Sequence, residues 1–265
     1  MGYFSSISDN EYYTFKKMLK QPDRADFIKA MMTEIEEHER RKHWHLIKRS
    51  EIPKRKKTIL SIWSFKRKRY PDGRIMKYKS RLCAHGGMQQ WGVDYWETYA
   101  PVVDWLSVRA LLILSVLHGY HSRSIDFVLA FPQAKLDCDV FMEIPAGMNH
   151  GEGSRNQYVL KLEKNLYGLK NAACNWFEML SKGLTGPKLR FKSSEVDPCV
   201  FFRKNAIILT YVDDCIIFSK ELEVIEDIVK VLKEDFDVEM EENFNDGDIS
   251  RFLGVDIIRN KDQTF

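Results

Sequence analysis

Ile207-Ile208-Leu209-Thr210-Tyr211-Val212-Asp213-Asp214-Cys215-Ile216-Ile217-Phe218 sets two adjacent acids inside an otherwise apolar run. The β-branched and aromatic residues on either side read as two short strands pinched into a hairpin at the acids. Two ionised carboxylates ~4 Å apart repel by roughly 4 kcal/mol at an effective dielectric near 20. A divalent cation would compensate them directly, and oxygen-only ligands with open positions suit Mg²⁺. A plain acidic turn, where Asp is common, accounts for the doublet equally well. The doublet alone leaves both readings open.

A second acid ends another apolar strand, Ser124-Ile125-Asp126-Phe127-Val128-Leu129-Ala130-Phe131. Upstream of it, Ser107 can cap a helix over 108–118 that Gly119 stops. Residues 175–184 read as a helix with Trp176, Phe177 and Leu180 on one face. Beyond the acidic hairpin, Leu222, Ile225, Val229, Leu232 and Phe236 mark an amphipathic helix with an acidic outer face. Residues 251–258 read as a last strand. Toward the N-terminus, Phe27, Met31 and Ile35 recur four apart and predict a helix over 23–39. Residues 64–69 and 74–84 flank Pro71-Asp72-Gly73, a turn signal, and predict a hairpin whose arms carry Lys66, Arg67, Lys68, Arg69, Lys77, Lys79 and Arg81. Helices interleaved with hairpins predict an α+β fold rather than a doubly wound parallel sheet.

The charge is unevenly spread. Residues 40–81 hold 17 Lys/Arg against Glu51 and Asp72, a local +15, which leaves −12 for the rest of a chain whose net charge is +3. Much of that negative charge lies in 221–250, with 12 acids against Lys230 and Lys233. A basic segment of this kind is suited to nucleic acid, or is simply a solvated face. A hydrophobic fraction of 44% over 265 residues excludes disorder as the default and is enough for two subdomains. Five scattered cysteines with no C-x-x-C pair argue against a disulfide framework or a zinc ribbon. His38, His43 and His45 lack a completing ligand and are expected on a partly exposed helix and strand. The longest apolar run, near 111–117, is far short of the ~20 residues of a membrane span, and no secretory signal is visible. No membrane association is therefore expected, and an intracellular setting is.

The spacing of Asp126, Ala130-Phe131 and, 87 residues after the aspartate, Tyr211-Val212-Asp213-Asp214 resembles motifs A and C of the reverse transcriptases. Further words resemble the copia-type LTR retrotransposons: Tyr78-Lys79-Ser80-Arg81-Leu82, Val93-Asp94-Tyr95, Glu97-Thr98-Tyr99-Ala100-Pro101-Val102-Val103, Leu166-Tyr167-Gly168-Leu169-Lys170 and Phe252-Leu253-Gly254-Val255. They stand in family order over about 23–258.

The resemblance implies fingers and palm of a right-hand polymerase with only the start of a thumb. The implied divisions are an N-terminal extension at 1–22, a fingers-like basic region at 23–120 and a palm-like region at 121–265. Asp126, Asp213 and Asp214 match the three polymerase aspartates, with Asp126 and Asp213 as direct ligands of Mg²⁺, Asp214 completing the field and the Phe127 carbonyl a further ligand. Two ions are implied, with Mn²⁺ able to substitute. Phe131 matches the steric gate against a 2′-hydroxyl, and Arg81 and Lys79 match bases that grip the incoming triphosphate. Tyr167, Gly168 and Lys170 match motif B, which lies against the nascent pair and template. Leu253-Gly254 matches the primer grip.

Implied partners are an RNA template, a DNA primer/template, dNTPs and other Pol regions (integrase and ribonuclease H). The implied place is a cytoplasmic virus-like particle or the nucleus. Two departures stand out. His85 occupies a position where the family often has Lys, and Lys170-Asn171-Ala172-Ala173-Cys174 replaces the commoner Lys-Gln-Ala-Pro-Arg. The lack of a full thumb or ribonuclease H gives the expectation of a fragment. Two other readings are a catalytically inactive nucleic-acid-binding retroelement remnant and a two-metal nuclease, for which the Phe131 gate would have no purpose.

Overall fold

The computed structural model describes residues 12–70, 72–151, 153–240, 249–253 and 255–258. It is mixed α and β, and its strand pairings are antiparallel apart from Thr58–Ile59 beside Lys135–Met142. The α+β expectation holds, and a doubly wound parallel sheet is excluded. The chain forms two compact units, each drawn from two stretches: 1–96 with 135–172, and 97–134 with 173–265.

In the first unit, the Arg24–Arg40 helix buries Phe27, Met31 and Ile35, as the four-residue spacing predicts. Phe27 meets Phe65 edge-on at 5.8 Å and Tyr78 at 4.8 Å. Those rings belong to the expected hairpin, Ser61–Arg69 with Ile75–Ala84, which turns through Gly73 at φ +87°. Pro71 of that turn lies outside the described residues. Strand alternation sends Trp63, Phe65, Ser80 and Leu82 inward. Arg67 shares that inner face, where it holds Asp23 through two bonds of 2.7 Å. The opposite face stacks Lys66 across from Lys79 and Lys68 across from Lys77, next to Arg81. A second sheet orders Trp44–Lys48, Tyr158–Lys164, Lys135–Met142 and Thr58–Ile59.

The setting expected for the histidines needs correction. His38 and His43 are buried, 0% and 4% exposed, with their Nδ1 atoms 2.7 Å apart. One ring must donate and the other accept, so the pair shares a proton across that contact. His38 also stacks on Trp44, and burial beside His38 pushes the His43 ring down to about 3 from 6.5. Only His45 is open, where it pairs with Glu163 at 2.9 Å.

In the second unit, one sheet orders Val238–Met240, His121–Phe127, Asp214–Ser219, Ala206–Tyr211, Val200–Arg203 and Lys192–Ser193. The Ala172–Thr185 and Leu222–Asp235 helices cover one face, through Trp176, Leu180, Ile225, Ile228 and Leu232 against Ile125, Ile208, Cys215 and Ile217. The other face carries Leu209, Ile216 and Phe218 against Val108 and Leu111 of the Trp105–His118 helix and against Phe252 and Ile257. That helix starts earlier than expected. Its cap is Asp104, whose carboxylate accepts from the Leu106 N–H at 2.8 Å, and not Ser107. Gly119 ends it at φ +63°, as expected. The last strand is instead two, Ile249–Phe252 and Val255–Ile258, because Leu253 at φ +53° takes the chain out of the first. The described cysteines are free thiols, and no described helix is long and apolar enough to cross a membrane.

Candidate active site

The acidic hairpin closes as Tyr211 pairs with Asp214, leaving Val212 and Asp213 as a two-residue loop. Val212 lies at φ +53°, a left-handed position that glycine usually takes in such loops. The Asp213 carbonyl accepts the Phe127 N–H at 3.0 Å, which ties the loop to the end of the neighbouring strand. Asp214 stands directly across from Asp126 in that antiparallel pairing. Paired residues share a face, with Cα atoms about 4.5–5.5 Å apart. On the other side of Asp126 the paired residue is Glu239, so three acids run in a row across three strands.

The set is oxygen-only. Among the described residues, no three His, Cys, Asp or Glu side chains gather closely enough to hold an ion by themselves. Mg²⁺ is ordinarily held by one or two carboxylates together with substrate phosphates and water. The Asp126–Asp214 pair fits that mode. The nearby thiol does not compete, since full burial and then the Asp214 charge hold Cys215 well above its usual range, as a neutral thiol. The resemblance implies Asp126 and Asp213 as the direct ligands; the strand pairing sets Asp214 across from Asp126, and the Asp213 carbonyl is held beside them by the Phe127 N–H.

Phe131 sits in a one-turn helix, Ala130–Gln133, and with Trp176, Phe177 and Val212 lines an apolar cavity of about 20 Å³, room for little more than one water. Leu253 packs against the Ile216–Phe218 face, the face that bears Asp126 and Asp214. Gly254 lies outside the described residues.

The remaining candidates belong to the first unit. The Arg81 guanidinium lies 4.1 Å from the centre of the Tyr167 ring, and the Ala84 N–H donates to the Tyr167 carbonyl at 2.8 Å. Gly168 has φ +89°, and a Cβ there would stand 2.3 Å from the Ala84 carbonyl oxygen. A Cβ on Gly86 would stand 2.1 Å from the Gly168 carbonyl oxygen. The two glycines let motif B and the end of the basic hairpin touch backbone to backbone. Lys170 reaches the Tyr95 hydroxyl at 3.2 Å. Lys79 is half-buried, and burial followed by the Arg81 charge lowers its pKa.

A buried polar brace, which no sequence motif marks, supports this stretch. Gln89 accepts the Lys170 N–H at 2.7 Å and donates to the Asp94 carbonyl and to Asn171 Oδ1. Asn171, fully buried, donates to Asp137 at 2.7 Å. Val93-Asp94-Tyr95 was a visible family word, but nothing in it announced Gln89 as the partner of motif B. The altered Lys170-Asn171-Ala172 stretch is thus integrated into the fold, with Asn171 at the centre of a satisfied network.

Residues 41–264 match the family described as reverse transcriptase (RNA-dependent DNA polymerase), and the chain belongs to that family. Within it, the chain is similar to the retrovirus-related Pol polyprotein from transposon TNT 1-94 of Nicotiana tabacum, 31% identical over 261 residues, 96% of this chain and 18% of that polyprotein. It is 34% identical over 201 residues to the Pol polyprotein from transposon RE1 of Arabidopsis thaliana, 74% of this chain and 13% of that one. The Ty1-ER2 Gag-Pol polyprotein of Saccharomyces cerevisiae is 27% identical over 263 residues, 96% of this chain and 14% of its own length. These relatives support a copia-type reverse transcriptase domain, and the chain spans less than a fifth of each.

Proposed function

We propose that this domain carries out template-directed DNA synthesis from dNTPs on RNA and DNA templates during retrotransposon replication. The observation that carries the reading is the pairing of Asp126 with Asp214, beside an Asp213 whose carbonyl is held by Phe127. In this reading the second unit acts as the palm and the first, with its basic hairpin, as the fingers.

Asp126 and Asp213, with the Phe127 carbonyl, would hold two Mg²⁺ ions, or Mn²⁺ in their place, and Asp214 would complete the negative field. When bound, these ions lower the barrier by activating the primer 3′-hydroxyl and neutralising charge on the leaving pyrophosphate. The chain's own part is positioning and electrostatics, so no side-chain nucleophile is needed. Arg81 and Lys79 bind the triphosphate, with the Arg81 fork steadied over Tyr167. Phe131 restricts the sugar. Tyr167, Gly168 and Lys170 line the nascent pair and template, and Leu253 and Gly254 steady the primer. Integrase and ribonuclease H regions of a Pol polyprotein are the proposed companions, in a virus-like particle or the nucleus.

Primer extension on poly(rA)/oligo(dT) with Mg²⁺ tests the reading. Incorporation is expected, with a loss on the order of 10²–10³ in Asp213→Asn, typical of removing a key electrostatic group. Salt-sensitive binding with no incorporation by the wild-type chain, in either Mg²⁺ or Mn²⁺, would instead identify a non-catalytic nucleic-acid binder.

A further inference from the structure

Trp176, 1% exposed in the Ala172–Thr185 helix, makes two kinds of contact with the acidic site. Its indole Nε1–H donates to the Val212 carbonyl at 2.6 Å. Its ring meets Phe127 edge-on, 5.1 Å between centres and 68° between planes. Phe236 closes the cluster, 5.9 Å from Trp176 and 5.5 Å from Phe127. A Cβ on Gly183, two turns along the same helix, would come within 2.6 Å of the Phe236 ring. That glycine leaves room for the ring that backs the tryptophan.

Val212 is the strained residue of the loop. A β-branched side chain at φ +53° is disfavoured, and such a conformation persists where the surroundings impose it. Trp176 bonds to the carbonyl of that same residue. Its second partner, Phe127, follows Asp126 in sequence and donates its N–H to the Asp213 carbonyl. One side chain therefore touches both elements that bear the carboxylates.

We infer that Trp176 is a positioning residue for nucleotidyl transfer: its N–H holds the left-handed Val212 loop while its ring holds Phe127, which together set the Asp213 loop against the Asp126 strand. The inference rests on the polymerase reading above for its functional meaning, but the clamp can be tested without turnover.

The test compares amide hydrogen exchange in the wild-type chain with Trp176→Phe, which removes the donor and keeps an aromatic ring. Protection of the Phe127 amide is expected to fall at least tenfold, while amides of the Ala206–Tyr211 strand keep theirs. Leu180→Ala, a buried change one turn away, serves as the control for general loss of packing and should lower both sets together. In primer extension, Trp176→Phe should reduce kcat about tenfold with the dNTP KM within twofold, and should raise the Mg²⁺ concentration needed for half-maximal rate. Val212→Gly, which relieves the left-handed strain, should shrink both effects of Trp176→Phe. Unchanged Phe127 protection, or a fall that merely parallels the Ala206–Tyr211 amides as in Leu180→Ala, would overturn the inference. A wild-type chain without incorporation would overturn the polymerase reading, while the exchange comparison would still decide the clamp.

Discussion

At the scale of residues, two side chains carry sharp predictions. Phe131 lines the small cavity beside Val212, so its ring is held by packing rather than free to swing. If it gates the sugar, Phe131→Val should raise ribonucleotide incorporation relative to dNTPs by roughly 10–200-fold, the range available to a shape filter. Competitive incorporation of rUTP and dTTP on poly(rA) measures it, and an unchanged ratio would remove Phe131 from the site. His43 makes a different case. Its folded pKa of about 3 lies below its ordinary 6.5, through burial first, then the charges of His38, Arg41 and Lys164, with Glu37 opposing. The fold therefore favours the neutral ring. Its contribution is complete above pH ~6.5 and is lost progressively as pH falls toward 3, by up to about 1.4 kcal/mol per pH unit. The melting temperature should drop by a few degrees from pH 7.0 to 5.5. His43→Asn should flatten that slope; a flat wild-type profile would contradict it. Histidine spacing could not reveal this setting, because His is as readily buried as exposed and only the packing of Trp44 decides which.

At the scale of elements, apolar periodicity locates helices and strands wherever one face is buried. The Arg24–Arg40 and Leu222–Asp235 helices and the acidic hairpin all lie where their apolar spacing puts them. Boundaries were harder, since Asp104 and Ser107 are both competent caps and only tertiary contacts choose between them. Register between strands distant in sequence was not legible at all. Nothing in 121–127 or 207–218 says that Asp126 should face Asp214 rather than a neighbour, because that choice depends on packing across the sheet. The basic hairpin shows what register adds. Lys68 across from Lys77 is a like-charge pair, which costs a few tenths to ~1 kcal/mol in isolation. Lys77→Glu should therefore raise thermal stability slightly while weakening binding to an RNA–DNA duplex and lowering its salt slope by about one. Melting curves and salt titrations check the two halves. Equal binding by the variant would assign the lysines to a solvated face.

At the scale of the molecule, the chain crosses between its compact units after residues 96, 134 and 172. Sequence reading favours contiguous divisions, since composition changes along the chain but contacts between remote segments leave no local mark. One consequence is testable. A fragment of 1–120 keeps the Trp44–Lys48 and Thr58–Ile59 strands and discards their partners, Tyr158–Lys164 and Lys135–Met142. Trp44 and Ile59, both buried in the whole chain, would lose that cover. The fragment should show no cooperative thermal transition by circular dichroism. A sharp transition would mean that its helix and basic hairpin form an independent folding unit.

The close approach of Gly86 to Gly168, and of Gly168 to Ala84, also bears on how copies of such a gene decay. Every single-base change that alters a glycine codon brings in a residue with a Cβ or a stop. At these two positions a Cβ collides with backbone, which cannot swing aside as a side chain could. Neither codon has a mild neighbour, and a change at one is not relieved by a change at the other. Among related gene copies, an intact pair should mark those still held by selection, and loss of either glycine should be among the early signs of a copy drifting freely.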